Sequence, residues 1–207
     1  MIRLLPLVVI LFSQSVCAED QKKVDNTPRL AYGLMIKSGD KTVFAPCRDQ
    51  SYITVVDASP DMAVTKALNT LGLEGGKKIY AELMSVLEGG VLKTLDINLA
   101  KMDGRCQLPG TSEEAWRAAG NDSEWLMAAG GDLVILKQPG KPDIKVPYAP
   151  FKTSGKLATF DGSGDAGVLN IRLENTLCQD PENNAIFGWT ATISTSNRLL
   201  KGCAWAR

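Results

Sequence analysis

The chain has 207 residues, with 23 Lys and Arg against 23 Asp and Glu, five Cys and no His. A chain without His excludes the Ser-His-Asp and Cys-His nucleophile systems, and it lacks the commonest general base and metal ligand. The even charge balance excludes a strongly basic nucleic-acid-binding protein, so we expect no nucleic-acid partner. We also expect no cofactor and, since the chain has no His, no metal.

The chain begins with a predicted signal peptide, residues 1–18. Arg3 precedes the apolar run Leu4–Phe12, and small residues then lead to a cleavage site that ends at Ala18. The run is too short for a membrane-spanning helix, and no later stretch of the mature chain is long enough either. We expect cleavage before Glu19 and a periplasmic or secreted protein. A retained membrane anchor is the alternative.

Lipid attachment at Cys17 is a second alternative, because this residue ends the apolar run. A lipidation site has a small residue immediately before the Cys and an aliphatic residue three positions before it. Here those positions hold Val16 and Gln14. We therefore expect no lipid anchor at Cys17.

Four cysteines remain after cleavage: Cys47, Cys106, Cys178 and Cys203. An even number of cysteines in an exported chain indicates disulfides. Of the three possible pairings, the local one joins Cys47 to Cys106 and Cys178 to Cys203. A redox or metal site is the alternative, but the sequence has no Cys-x-x-Cys motif and no His to complete a ligand set.

The first half of the mature chain predicts a small β-barrel. A polar leader, residues 19–29, is followed by five runs of apolar and β-branched residues: Leu30–Lys37, Lys41–Ala45, Ser51–Val56, Lys78–Leu87 and Val91–Lys101. Turn residues separate these runs, as expected for strands. Along the last run, Leu95, Ile97 and Leu99 alternate with Asp96, Asn98 and Ala100.

A helix is predicted between the third and fourth strands. Ser59, Pro60 and Asp61 are typical of a helix start, and apolar residues follow at helical spacing from Val64 until Gly72. The order strand, strand, strand, helix, strand, strand is that of a five-stranded OB-type barrel. We assign it to residues 30–107.

The second module, residues 108–207, predicts a small antiparallel β-barrel or sandwich. Thr111 and Glu114 have the spacing of a helix capping box, so a short helical turn to about Ala119 is expected. Seven short strand-like runs follow, separated by turn residues: Glu124–Ala129, Asp132–Lys137, Asp143–Val146, Lys156–Asp161, Val168–Glu174, Ile186–Thr195 and Arg198–Trp205.

Both halves resemble proteins of the bacterial cell envelope. Tyr32-Gly33, the run from Thr42 to Cys47, the run from Ile79 to Leu83 and the late Cys106 resemble the OB-like domain of envelope lipoproteins of the NlpE (copper-stress) type. The runs 116–125, 178–180 and 199–204 resemble an uncharacterised C-terminal β-rich envelope domain. The resemblance implies an OB-like domain followed by a β-rich domain, and a role in envelope stress sensing or maintenance.

Candidate partner-binding residues lie in the second module, which holds all four Trp of the chain, at 116, 125, 189 and 205. Core packing is the simplest interpretation of these residues, whereas an exposed Trp is a frequent anchor for a protein or glycan partner. The candidates are Trp116, Asp122, Glu124, Trp125 and Asp180.

These observations predict a non-catalytic protein that binds a protein partner in the cell envelope. An alternative is a periplasmic inhibitor or immunity-type protein against a lysozyme-like peptidoglycan hydrolase. A third hypothesis is an envelope hydrolase that uses Asp122 and Glu124, since carboxylates two residues apart on a strand point the same way and lie roughly 6–7 Å apart.

Overall fold

The computed structural model describes residues 26–102, 104–106, 113–120, 124–165 and 167–207. The predicted signal peptide, its cleavage site between Ala18 and Glu19, and the candidate Asp122 lie outside these residues. The described chain is mainly β and contains two sheets.

The first sheet closes into a five-stranded barrel. Its strands are β1 (Arg29–Ser38), β2 (Lys41–Pro46), β3 (Ile53–Asp57), β4 (Ile79–Glu88) and β5 (Val91–Met102). Strand β1 pairs antiparallel with β2 and β4, β2 pairs with β3, and β5 closes the ring by pairing parallel with β3 and antiparallel with β4. With the helix between β3 and β4, this confirms the predicted OB-type barrel.

The barrel core is hydrophobic, and the helix contributes to it. Met35, Phe44, Leu83 and Ile97 are almost fully buried, together with Leu68 of the helix. These residues come from four strands and the helix, so the barrel and helix form one hydrophobic core.

The helix α1 (Ala63–Thr70) follows a single 3-10 turn, Pro60–Met62. The Val64 amide donates to Ser59 Oγ at 3.1 Å, and the Thr65 amide donates to Asp57 Oδ2 at 2.7 Å. Two side chains therefore satisfy the free amides of the first turn, as helix caps do. No helix within the described residues is long and apolar enough to cross a membrane.

The remaining strands are β6 (Glu114–Ala119), β7 (Leu126–Gly130), β8 (Leu133–Lys137), β9 (Ile144–Pro147), β10 (Lys152–Ser154), β11 (Leu157–Gly164), β12 (Gly167–Glu174), β13 (Cys178–Asp180), β14 (Ala185–Phe187), β15 (Trp189–Ser194) and β16 (Leu199–Ala206). Nine of them form the second sheet, which is antiparallel, in the order β10-β11-β12-β15-β16-β6-β7-β8-β9. The sheet curls so that its end strand β9 lies against β11, where a Cβ on Gly164 would lie 2.6 Å from the Lys145 carbonyl oxygen.

The predicted helical turn up to Ala119 is wrong, because residues Glu114–Ala119 form strand β6. This strand lies inside the second sheet and pairs with β16 on one side and β7 on the other. Two ladders of hydrogen bonds outweigh the local capping signal. Thr111, the other half of that signal, lies outside the described residues.

The predicted strand Ile186–Thr195 is two strands that belong to different sheets. Gly188 separates them, and its amide donates to the Asn98 carbonyl at 2.9 Å. A Cβ at Gly188 would overlap the Ile97 carbonyl oxygen. The backbone passes so close to β5 that only glycine fits there.

The hairpin formed by β13 and β14 extends the first sheet, although it lies within the predicted second module, 108–207. Phe187 pairs with Leu99 and Ala185 with Lys101 of β5. The two halves of the chain are therefore joined by backbone hydrogen bonds as well as by side-chain packing.

Both disulfides have the pairing that the sequence predicts. Cys47 and Cys106 join the end of β2 to the segment after β5, and Cys178 and Cys203 join β13 to β16. The second bond connects a strand of the first sheet to a strand of the second sheet. It therefore crosslinks the two sheets.

Removal of the inter-sheet disulfide should lower stability. The double variant Cys178→Ala and Cys203→Ala should lose about 3 kcal/mol of unfolding free energy, because the bond closes a long loop of the unfolded chain. Urea denaturation followed by fluorescence measures this loss. The pair Cys47→Ala and Cys106→Ala is the matched variant and should lose slightly more, since its sequence separation is 59 against 25 residues. A loss below about 1 kcal/mol in both variants would contradict the expectation.

Candidate functional site

A cavity of about 220 Å³ lies between the barrel and the second sheet. We name it the Trp cleft. The barrel contributes Leu30, Met84 and Asp96 to its lining, and the rest of the chain contributes Trp116, Asn175 and Trp189. The cleft is a concave site on rigid strands at the junction of two units, where small ligands commonly bind.

Two indole rings form one wall of the Trp cleft. Trp116 of β6 and Trp189 of β15 have ring centroids 5.0 Å apart and planes at 78°. Trp116 also lies 6.0 Å from Phe151, which stacks on Phe160 at 5.4 Å. The aromatic row therefore runs from the core of the second sheet to the cleft and holds Trp116 in place.

A carboxylate also lines the Trp cleft, that of Asp96. Asp96 Oδ1 accepts from the Ile97 amide at 2.8 Å, and Oδ2 accepts from Asn175 Nδ2 at 2.8 Å. Asn175 Nδ2 also donates to the Gly188 carbonyl at 3.2 Å. Within the part of the chain that the structure describes, Asp96 forms no salt bridge. The cleft therefore contains an oriented carboxylate without a neutralising cation.

A second groove, of about 410 Å³, lies on the other side of Asp96 and Asn175. It is lined by residues at the start of α1, among them Ser59 and Val64, and by Lys156. Because Asp96 and Asn175 line both cavities, the groove and the Trp cleft are neighbours at these two residues.

A buried polar network lies beside the Trp cleft. Glu82 is only 4% exposed, and its carboxylate accepts from Tyr80 Oη at 2.9 Å and from Asn98 Nδ2 at 2.8 Å. The Asn98 carboxamide also pairs with the backbone of Ala206: Nδ2 donates to the carbonyl at 3.0 Å, and Oδ1 accepts from the amide at 2.9 Å. The network therefore connects the barrel to the last strand.

Burial raises the pKa of Glu82 above the ordinary range of a glutamate carboxyl. The hydrogen bonds from Tyr80 and Asn98 and the positive charge of Arg207 act in the opposite direction, because they favour the ionised form. Burial and the nearby Glu82 charge also raise the pKa of the Tyr80 hydroxyl, which therefore stays protonated and donates to Glu82.

The structure places the predicted partner-binding residues in different environments. Trp116 lines the Trp cleft. Glu124 is exposed, and Asp122 lies outside the described residues. The distance between the two carboxylates of the hydrolase hypothesis therefore stays a prediction. The described candidates therefore do not form one site.

Trp125 and Asp180 are both buried, as the simpler interpretation of core packing expects for Trp125. Trp125 is 2% exposed in the core of the second sheet, where its indole lies against Gly120 and Gly202. Asp180 is 7% exposed and accepts hydrogen bonds from the amide and side chain of Asn183, so it shapes the turn between β13 and β14. Packing and turn geometry account for both residues.

Sequence reasoning missed Asp96, Asn175 and the specific role of Trp189. Asp96 and Asn175 are 79 residues apart and meet only when the two sheets pack. One available signal was Asn175 itself, a turn-type residue directly after the predicted strand Val168–Glu174. It indicates the end of a strand but does not reveal which element lies opposite.

The fold and the cleft define a disulfide-linked β protein in which an OB-type barrel and a curled antiparallel sheet enclose an aromatic-lined cavity. Comparison of the chain with protein-family models, with curated proteins and with solved structures finds no match.

The raised pKa of Glu82 predicts a specific pH dependence of stability. The native state retains the Glu82 proton to a higher pH than the unfolded chain does, so stability falls as pH rises from the ordinary carboxyl pKa through the native pKa. Glu82→Gln removes this proton and can keep both hydrogen bonds, since the Tyr80 hydroxyl can rotate to accept from the new amide. The unfolding free energy of the variant relative to wild type should therefore increase with pH through this window, by at most about 1.4 kcal/mol per pH unit.

Urea denaturation from acidic to neutral pH measures this difference. Glu124→Gln, which changes an exposed carboxyl, is the control and should show no comparable rise. A Glu82→Gln difference that stays flat, or falls, as pH rises would contradict the expected role of the buried carboxyl.

Proposed function

We propose that this chain is an exported, non-catalytic binding protein of the bacterial cell envelope and that the Trp cleft is its binding site. The observation that carries the proposal is the Trp116–Trp189 pair facing a cavity that also contains the Asp96 carboxylate. Aromatic walls with a few oriented polar groups are typical of ligand and partner sites. Of the predicted partner-binding residues that the structure describes, Trp116 is the one that lines this cavity.

The extracytoplasmic location is supported by the two disulfides, because such bonds persist in oxidising compartments. The predicted signal peptide, residues 1–18, points to the same location. Together with the resemblance to envelope lipoproteins of the copper-stress type, these features favour a role in envelope stress sensing or maintenance.

The lining of the cleft favours binding over hydrolysis. Among the described residues that line it, Asp96 is the single ionisable side chain. Hydrolysis by carboxylates uses an acid and a base, or an acid and a nucleophile. One carboxylate that already accepts two hydrogen bonds is better suited to hold a ligand.

A pull-down with matched variants tests the proposal. The mature chain, Trp189→Leu and Trp205→Leu are each immobilised and exposed to periplasmic extract. Trp205 is the control because it is also partly buried but packs on Phe187, outside the cleft. We expect a bound component with the wild type and Trp205→Leu, and at least about fivefold less with Trp189→Leu, as expected for a Trp hot spot.

The other outcomes separate the alternatives. If the captured component is a peptidoglycan hydrolase that the purified chain inhibits, the result supports the periplasmic inhibitor hypothesis. Equal capture by all three chains would show that the cleft is not the binding site. Release of muropeptides by the purified chain alone would contradict a non-catalytic role.

A further inference from the structure

We propose that the Trp cleft binds a small organic cation through a compact substituted ammonium group. This inference rests on the proposed function, because it names the class of ligand for the same site. It follows from three properties of the cleft: the angle between its indole rings, its charge and its unused hydrogen-bonding groups.

The angle between the rings favours a compact cation. The planes of Trp116 and Trp189 meet at 78° with centroids 5.0 Å apart, so the edge of one ring points toward the face of the other. A flat sugar ring needs an open, flat platform, whereas a compact ammonium group needs contact with only part of one indole face. The electron-rich faces of indole rings attract cations more strongly than those of other aromatic side chains.

The charge of the cleft has the matching sign. Asp96 is the only charged side chain among the described residues that line it, and it lies in the same cavity as both rings. The hydrogen bond from Asn175 orients the carboxylate without neutralising it. Lys156 lies in the neighbouring groove and does not line the cleft.

The oxygens of the cleft that can still accept hydrogen bonds also favour a positive charge. Asn98 Nδ2 donates to Glu82 and to the Ala206 carbonyl, and Asn175 Nδ2 donates to Asp96 and to the Gly188 carbonyl. Both carboxamides have therefore used their two N–H groups. The indole N–H groups are the remaining side-chain donors of the lining, while Asn175 Oδ1 and the Asp96 carboxylate can still accept. These oxygens are negative or partly negative, so they attract a positively charged group whether or not it carries an N–H group, whereas a neutral polyol gains no such attraction.

The size of the cleft limits the bound group. A volume of about 220 Å³ is smaller than that of sites for drug-sized ligands, which start at roughly 300 Å³. The cleft therefore holds one small group, and the neighbouring 410 Å³ groove has space for a substituent that extends past Asp96.

Calorimetric titration of the mature protein tests the proposal with three probes. Choline supplies the cation, 3,3-dimethyl-1-butanol has the same shape without the charge, and N-acetylglucosamine represents a neutral sugar. We expect saturable binding of choline, with the neutral isostere weaker by about tenfold or more. Choline binding should also weaken as salt is added.

Two variants locate the binding. Asp96→Asn should weaken choline binding by about tenfold, and Trp189→Leu should weaken it by a similar factor. Asp161→Asn is the matched control, because Asp161 is an exposed carboxylate that also accepts from an Asn side chain, Asn170, at 2.7 Å. It should leave choline binding unchanged. Thermal unfolding confirms that each variant is folded.

Several results would overturn the proposal: no saturable choline binding, equal affinity for the neutral isostere, sugar binding without choline binding, or choline binding that survives both cleft variants. Its failure is distinguishable from failure of the proposed function. If choline does not bind but capture in the pull-down still requires Trp189, the cation inference is wrong and the cleft remains the binding site. If neither occurs, both are wrong.

Discussion

Asn98 connects the barrel to the second sheet beside the Trp cleft, in addition to the inter-sheet disulfide and the pairing of β14 with β5. Its carboxamide pairs with both backbone groups of Ala206, 108 residues away, as a neighbouring strand would. Its own carbonyl accepts from the amide of Gly188. Ala206 pairs with Trp116 across the second sheet, and Trp189 follows Gly188 directly. Through Ala206 and Gly188, the contacts of Asn98 therefore help to position both indole rings of the cleft.

The contact around Asn98 is polar, and it includes a buried carboxyl group. Glu82 is buried beside it, and a buried carboxyl is unfavourable unless hydrogen bonds compensate for the lost water. Tyr80 and Asn98 supply those bonds. Apolar surfaces can slide over one another, whereas a hydrogen-bonded network is satisfied in one arrangement only. We infer that the polar contact fixes how the two sheets dock, in addition to any stability it contributes.

Elements with local signals could be predicted from the sequence. The five barrel strands and the helix are separated by turn residues such as Gly39 and Gly89-Gly90, and the OB-type order follows from them. The disulfide pairing was also predictable, because each pair lies within one of the two predicted modules. In these regions the local pattern and the fold agree.

Features that depend on distant contacts could not be predicted. Strand β6 carries a helix-type signal but lies between β16 and β7, and the break at Gly188 reflects the nearby carbonyl of Ile97. In β5, the expected alternation of Leu95, Ile97 and Leu99 fails, since Ile97 is buried while the two Leu residues are only partly buried. Irregularities in the β4–β5 pairing shift the faces of the strand, as β-bulges do. Trp116 could be predicted as a partner-binding candidate from the sequence. The position of Asp96 in the cleft could not, because it follows from this shifted packing.

The connections on either side of the cleft give it a fixed shape. On one side, the disulfide from Cys178 to Cys203 holds the hairpin against β16. On the other side, the aromatic row anchors Trp116 in the core of the second sheet. A site whose walls are already ordered loses little conformational freedom when a ligand enters. Because those walls come from two sheets, the proposed ligand would also add contacts between the sheets, and its binding would then stabilise their docking.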